Sequence, residues 1–190
     1  MVAAIIDCNN YYGLDMNLEL DAFRKTVEHI ALVQRLLLSA QIELARRITT
    51  HDQSKLHSPE WEMYREMTHK LESVTYGSDE YEALRREMLD SALGHHFAHN
   101  RHHPEHFENG INGMNLFDIL EMLIDWMAAT KHRADSDIAK SIEINCKRFG
   151  ISPQLEQIMR NTLPWIEDEF FALKTQADIT HSRYPTQKAK

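Results

Sequence analysis

Apolar residues recur along this chain at the three- and four-residue spacing of amphipathic helices rather than at the alternating spacing of strands. The pattern is continuous from residue 17 to residue 48, with acidic residues in the first turn, where the helix dipole favours them. We therefore predict one long first helix over this segment. Its recurring apolar residues are Leu20, Phe23, Val27, Ile30, Leu37, Leu44 and Ile48.

Capping residues and turn residues divide the next part of the chain into two further predicted helices. Ser58 suits the N-cap and Pro59 the first helical position of a helix that reaches about residue 73. The "TYGSD" turn follows, and a third helix is expected over residues 79 to about 99. A loop rich in His, Gly and Pro comes next.

The last third of the chain predicts three more helices. The first, in "MNLFDILEMLIDWMAATKH", has an expected buried stripe of Leu116, Leu120, Leu123, Ile124 and Met127. The next runs from about residue 135 to residue 149 and should end at Gly150. The final helix starts at Ser152 and Pro153, and Pro164 is expected to kink it or to end its first half.

These patterns predict an all-α protein, a helical bundle of about six helices. We expect an N-terminal extension over residues 1–16, a helical domain over 17–175, and a polar C-terminal tail over 176–190. A length of 190 residues is enough for one domain with a substantial core.

Composition narrows the class of protein. The formal net charge of −8 argues against binding of double-stranded nucleic acid, which requires Lys and Arg to displace counterions. Two cysteines cannot form a disulfide framework, and no stretch has the length of a membrane span or the pattern of a signal peptide. We therefore expect a cytoplasmic protein with no membrane association, and the sequence leaves open whether it forms oligomers.

The segment "GHHFAHNRHHPEH", residues 94–106, contains six histidines in thirteen positions. It is either a solvated polar loop or part of a metal centre whose other ligands lie elsewhere. His96 and His103 are seven residues apart and would share a face if the third helix continued that far. We favour the metal centre.

Ligands for such a centre occur in three other places. His51 and Asp52 are adjacent, and Lys55 follows one turn later, where it could pair with an anionic ligand. His29 stands in the first helix among apolar residues and is expected to face inward. Asp125 lies in an apolar helix, on one face with Asp118 and Glu121, and this face is either a solvated acidic stripe or one that receives a cation.

The order His29, His51-Asp52, Asp125 in an all-helical chain resembles the HD-domain superfamily of metal-dependent phosphohydrolases. In that superfamily, the pattern His, His-Asp, Asp supplies one metal site in a helical bundle. "HDQSK" is similar to the HDxGK motif of the HD-GYP phosphodiesterases and of related HD-fold di-iron oxygenases, with Ser54 in place of Gly. His102 and His103 stand where that family has paired histidines.

The combination HDxSK, HxxxNxHH and EMxxDW also resembles a group of phage and bacterial HD-like proteins, a match that includes His96, Asn100, Glu121 and Trp126. The chain also departs from the HD-GYP pattern. Lys25 stands where a Glu would precede His29, and "NGING" replaces the GYP tripeptide. The first departure argues against a third metal, and the second removes any implication of a cyclic-dinucleotide substrate.

The resemblance implies a hydrolase that acts on a nucleotide or another small phosphoester through a metal-activated water. It implies His29, His51, Asp52 and Asp125 as ligands of one ion, and His96, His102 and His103 as ligands of a second ion bridged by Asp52. His95 is an alternative to His96, and His69 is a weaker one. Manganese, iron, cobalt or magnesium would suit these ligands, and nickel or zinc could occupy the site in a purified sample.

Four residues are expected to act on the substrate or on the ligands. Lys55, Asn100 and Arg101 would bind the substrate, with Lys55 also neutralising phosphoryl oxygens, while Glu121 would orient a ligand histidine or accept a proton. Two other functions remain open: an HD-fold di-iron oxygenase, and a non-catalytic binding protein stabilised by its metal.

Overall fold

The computed structural model describes residues 8–75, 77–88, 92–131 and 137–183, and this part of the chain contains no strand. The all-α fold predicted from the periodicity is confirmed. The α-helices of the described part are α1 (Cys8–Thr50), α2 (Glu60–Glu72), α3 (Asp79–Met88), α4 (Gly94–His99), α5 (Leu116–Lys131), α6 (Ile138–Phe149) and α7 (Pro153–Arg183). Short 3₁₀ helices span Gln53–Leu56, Pro104–His106 and Gly110–Gly113. The chain divides into two compact units, Met1–His51 and Asp52–Lys190.

The first unit is formed by α1, which begins at Cys8 rather than at the predicted Asn17. Part of the expected N-terminal extension is therefore helical, because Gly13 costs only about 1 kcal/mol in a helix and does not stop it. Residues 1–7 lie outside the described part of the chain. His29 is exposed on α1. The expectation that it faces inward is therefore not met within this unit, which consists of a single helix.

The second unit confirms the helix end predicted at Gly150, and it shows how α6 begins. The Asp137 carboxylate accepts a hydrogen bond from the Ala139 amide (2.9 Å) and caps α6. At the other end, Gly150 is left-handed (φ 62°, ψ 37°), and the Ile151 amide donates to the Cys146 carbonyl (3.0 Å). Gly tolerates this conformation without the Cβ clash that other residues suffer, which is why the sequence marks the stop.

Of the two outcomes expected at Pro164, a kink or an end of the helix, the end is wrong, because α7 continues through this proline to Arg183. A proline removes one intrahelical hydrogen bond, while Leu155 and Leu163 pack against the core on the preceding turns. The helix therefore includes the first part of the predicted tail, and residues 184–190 lie outside the described part.

The predicted third helix is described as two helices, α3 and α4, with residues 89–91 between them outside the described part. Ala92 and Leu93 form a π-helical turn before α4. Asn100 ends α4 in an extended conformation, and its backbone amide donates to the His96 carbonyl (3.0 Å). This end brings the histidines of the loop back toward the residues of α4.

The main core lies between α5, α6 and the start of α7. Its buried members are Met122, Leu123, Trp126, Ile142, Cys146, Ile151 and Met159. The predicted stripe of α5 is confirmed at Leu123 and Met127 and wrong at Leu116 and Ile124, which are 80% and 42% exposed. A smaller apolar cluster joins α2 to α4. No helix in the described ranges has both the length and the apolar character needed to cross a bilayer.

Candidate metal centre

Asp52 opens the second unit in a backbone conformation that is uncommon for a residue with a side chain. Its φ of 54° and ψ of 16° are left-handed, a region that Asp enters more readily than most residues. The 3₁₀ helix that follows places Lys55 close behind it, and Lys55 Nζ lies 2.5 Å from Asp52 Oδ2. The turn therefore presents one carboxylate with one oxygen on a lysine and the other, Oδ1, facing the histidines of the loop.

Three histidines from α4 and the following turn meet Asp52. The Nε2 atoms of His96 and His102 each lie 3.4 Å from Asp52 Oδ1. His103 Nε2 lies 2.8 Å from His96 Nε2. His96 and His102 are 1% and 2% exposed, so these two rings are buried. The four residues offer ligand atoms that all lie within 4.8 Å of one another.

Asp125 adds a second carboxylate from the middle of α5. Its carboxylate offers a ligand atom that lies within 4.8 Å of ligand atoms of Asp52 and His102. The second unit therefore contains two overlapping sets of candidate ligands that share Asp52 and His102. This is the juxtaposition expected for one ion, or for two ions bridged by Asp52.

The spacing of the two histidine nitrogens around Asp52 Oδ1 fits a bound divalent cation. Ligand bonds of about 2.0–2.2 Å place adjacent ligand atoms roughly 3.0–3.5 Å apart around an ion. The two 3.4 Å separations at Asp52 Oδ1 fall in that range, and they exceed the usual length of an N–H···O hydrogen bond, about 2.7–3.2 Å. Imidazole nitrogens mixed with carboxylate oxygens also form a donor set that suits manganese, iron, cobalt or zinc.

Two of the clustered histidines are neutral at physiological pH. Burial lowers the pKa of His96, against the opposing effect of Asp52. Burial, together with the neighbouring His102 and His96, lowers the pKa of His103 to about 2. Neutral imidazoles keep a lone pair for a metal, so both side chains are in the form that a ligand requires.

Carboxylates hold two of these histidines from behind, away from Asp52. Glu121 Oε1 lies 3.3 Å from His102 Nδ1, and the orienting role of Glu121 stays a prediction. Glu60 Oε2 lies 2.8 Å from His96 Nδ1, and Glu60 is 0% exposed. Burial would raise the pKa of Glu60, but hydrogen bonds from His95, His96 and Ser54 outweigh it and lower this pKa.

Glu60 was missed in the sequence because it gives no local signal. An acidic residue in the first turn of a helix is ordinary, since the helix dipole stabilises it there. Its partner His96 is 36 residues further along the chain, and no spacing rule links the two positions.

Lys55 stays cationic beside the cluster. Burial acts to lower its pKa, but Tyr64 and Asp52 outweigh burial and raise it. Its ammonium also lies 5.0 Å from the centre of the Tyr64 ring, and burial raises the pKa of Tyr64 to about 12. The side chain of Lys55 remains 32% exposed, so a ligand arriving from solvent could reach it.

Asn100 and Arg101, both predicted to bind substrate, have internal partners instead. The buried side-chain amide of Asn100 donates to Ser54 Oγ (2.7 Å) and to the His96 carbonyl (2.8 Å). Arg101 donates from Nε and from its terminal guanidinium nitrogen to Asp118, at 3.3 and 3.0 Å. These positions support the histidine loop from behind, and substrate binding by either residue stays a prediction.

The sequence left open whether the acidic face of α5 is exposed to solvent or receives a cation. The structure shows that it is not a solvated stripe. Asp118 is 0% exposed, and besides Arg101 it accepts a hydrogen bond from the Asn115 amide (2.9 Å). Asn115 in turn accepts from the Asp118 amide (3.0 Å), a reciprocal cap at the start of the helix. Asp118 therefore anchors the loop, while Glu121 and Asp125 point to the histidines.

The remaining predicted ligands lie elsewhere. His29 and His51 belong to the first unit, and their roles as ligands stay predictions. His95 contacts Glu60 rather than joining either ligand set, which favours His96 over His95. The side chain of His69 lies outside the described part of the chain.

Comparison with known proteins gives one match. A family model described as a family of unknown function (DUF5662) matches residues 18–165. No curated protein and no solved structure shows a significant match to the chain.

Proposed function

The chain belongs to the DUF5662 family, whose function is unknown, and we propose that it is a metal-dependent phosphohydrolase. Its substrate would be a nucleotide or another small phosphoester. The proposal rests on the convergence of Asp52, His96 and His102 at metal-ligand spacing, with a lysine at the same carboxylate. The likeness of "HDQSK" and of the paired histidines to HD-domain motifs supports the same reading.

The two sets of candidate ligands would form two cation positions that share Asp52. His96, His102 and His103 would hold one cation with Asp52, and Asp125 would serve a second with Asp52 and His102. The roles of His29 and His51 as ligands stay the predictions that the HD-domain resemblance implies. A divalent cation held at Asp52 would supply a hydroxide nucleophile near neutral pH and would neutralise charge on phosphoryl oxygens.

The neighbouring side chains would handle the charge of the substrate. Lys55 is cationic and partly exposed, so it can bind a phosphoryl oxygen as negative charge develops on it. Tyr64 excludes water on one side of that ammonium and stays protonated, because its pKa is raised to about 12. Glu121 fixes the ring of His102 through Nδ1 and leaves Nε2 directed toward Asp52.

The two alternative functions make different demands on the same ligands. A di-iron oxygenase would purify with two irons and consume O₂, whereas a hydrolase would release phosphate or alcohol with manganese or cobalt. A binding protein stabilised by its metal would lose melting temperature on chelation and hydrolyse nothing.

Hydrolysis of a panel of nucleotides and synthetic phosphoesters, with Mn²⁺, Co²⁺ or Mg²⁺ added, tests the proposal. We expect metal-dependent turnover that falls about 10³-fold in Asp52→Ala, since several kcal/mol of charge stabilisation would be lost. Asp168→Ala removes an exposed carboxylate of α7 and serves as the matched control, which should keep full activity. Equal activity in wild type and Asp52→Ala would refute the proposal.

A further inference from the structure

We propose that Glu60 is a positioning residue for the metal centre, acting on His96. It would fix the proton of His96 on Nδ1 and direct the lone pair of Nε2 toward Asp52. Ser54, which stands where the HDxGK motif has glycine, would hold Glu60 in place. The inference rests on the proposed metal centre and adds to it a buried residue from a different helix.

The contacts of Glu60 are those of an acceptor at the centre of a buried network. Its Oε2 lies 2.8 Å from His96 Nδ1 and 3.0 Å from Ser54 Oγ, and its Oε1 lies 2.7 Å from His95 Nδ1. A carboxylate has no hydrogen to donate, so each of these three partners must supply one. His96 therefore carries its proton on Nδ1.

The neighbouring Asn100 does not change this assignment. The Asn100 amide lies 3.0 Å from His96 Nδ1, but its two hydrogens go to Ser54 Oγ and to the His96 carbonyl. Asn100 therefore does not compete with Glu60 for Nδ1. The opposite nitrogen of the ring, Nε2, lies 3.4 Å from Asp52 Oδ1 and 2.8 Å from His103 Nε2, so His103 supplies the hydrogen of that contact.

Ser54 explains how Glu60 is kept in this geometry. Its hydroxyl donates to Glu60 Oε2 and accepts from the Asn100 amide, so it links α2 to the end of α4. A glycine at this position would provide neither bond. The serine that departs from the HDxGK motif thus belongs to the same network as the glutamate.

Carboxylates that orient ligand histidines typically change metal affinity by about 10- to 100-fold when they are replaced. We expect Glu60→Gln to weaken Mn²⁺ or Co²⁺ binding by that factor, measured by titration calorimetry. Ser54→Gly should weaken it less, and Glu60→Asp should recover part of the loss if its shorter carboxylate reaches Nδ1. Glu62→Gln, an exposed glutamate of the same helix, is the matched control and should bind as wild type does.

Nitrogen-15 NMR of the histidine rings in the metal-free protein tests the positioning directly. The His96 ring, assigned by its loss in His96→Gln, should be protonated on Nδ1 in wild type and in Glu62→Gln. It should become a mixture of the two tautomers in Glu60→Gln or, if that variant does not fold, in Ser54→Gly. A wild-type His96 protonated on Nε2, or an unchanged tautomer and affinity in the folded variants, would overturn the inference.

This pair of measurements also separates the inference from the proposed function. If the wild type binds a cation but hydrolyses nothing, the function fails while the affinity and tautomer results still decide the role of Glu60. If the wild type binds no Mn²⁺ or Co²⁺, the proposed function and the role of Glu60 in a metal centre both fail, whatever the tautomer of His96.

Discussion

The second unit buries two regions on two sides of α5, and they are held together differently. On one side, Met122, Leu123 and Trp126 pack into an apolar core with α6 and α7. On the other side, Asp118, Glu121 and Asp125 meet the histidine loop. The apolar side depends on area removed from water, whereas each buried group of the polar side depends on a specific partner. Substitutions on the two sides should therefore affect different measurements.

The largest effect is expected from the apolar core. Ile142 is 0% exposed, and Ile142→Ala should lower the free energy of unfolding by about 3 kcal/mol, since large-to-small core substitutions cost about 2–5 kcal/mol. Urea denaturation of the metal-free protein measures this loss. The folded variant should still bind Mn²⁺ as wild type does, and a large loss of affinity would show that the two regions are not separable.

A pair of aspartates on α5 sharpens the comparison within the polar side. Asp118→Ala should lower the free energy of unfolding by about 2 kcal/mol, because it removes a helix cap and the partner of Arg101. Its cation affinity should change by less than that of Asp125→Ala. Asp125→Ala should do the reverse, losing affinity with little loss of stability in the metal-free protein.

Denaturation and titration calorimetry of both variants check this contrast. If Asp118→Ala loses more cation affinity than Asp125→Ala, the assignment of anchor and ligand is wrong. Asp137→Ala, which removes the cap of another helix far along the chain from the loop, controls for the general effect of losing a cap.

The smallest effect is expected from pH acting on the apolar core. Burial raises the pKa of the Cys146 thiol to about 11, with Glu156 adding to the shift. The folded state therefore holds this proton more tightly than the unfolded state, whose thiol has its ordinary pKa of 9.0. The stability from the buried neutral thiol is fully present below about pH 9 and is lost as the pH rises toward about 11.

Urea denaturation at pH 8 and pH 10.5 measures the effect against Cys146→Ala. The free energy of unfolding of wild type should fall by about 1–2 kcal/mol more than that of the variant over this range. Parallel changes in the two proteins would mean that the thiol is not buried as described.

The fold was predictable because helix periodicity and caps are local signals. Gly150 had to follow a helix end, since only a left-handed residue closes it in this way, and α6 ends there. The helix end considered at Pro164 was wrong because the sequence shows the lost hydrogen bond but not the packing of Leu155 and Leu163 before it. The predicted burial of Ile124 was wrong because periodicity alone does not show that α5 also buries a polar face.

The candidate site was predictable only in part. His102, His103, Asp52 and Asp125 could be chosen because they stand in the order of a known motif. Glu60 could not, since its contact with His96 joins positions 36 residues apart that no motif connects. The contact of Arg101 with Asp118 could not be predicted either, since no spacing rule links positions 17 residues apart.

Diffraction at the manganese absorption edge, from crystals of the untagged protein grown with Mn²⁺, tests the central claim most directly. The account predicts an anomalous peak at bonding distance from Asp52 and from the Nε2 atoms of His96 and His102. A second peak beside Asp125 would indicate the two-ion form. Crystals with no peak among these residues, or with manganese only at other positions, would contradict it.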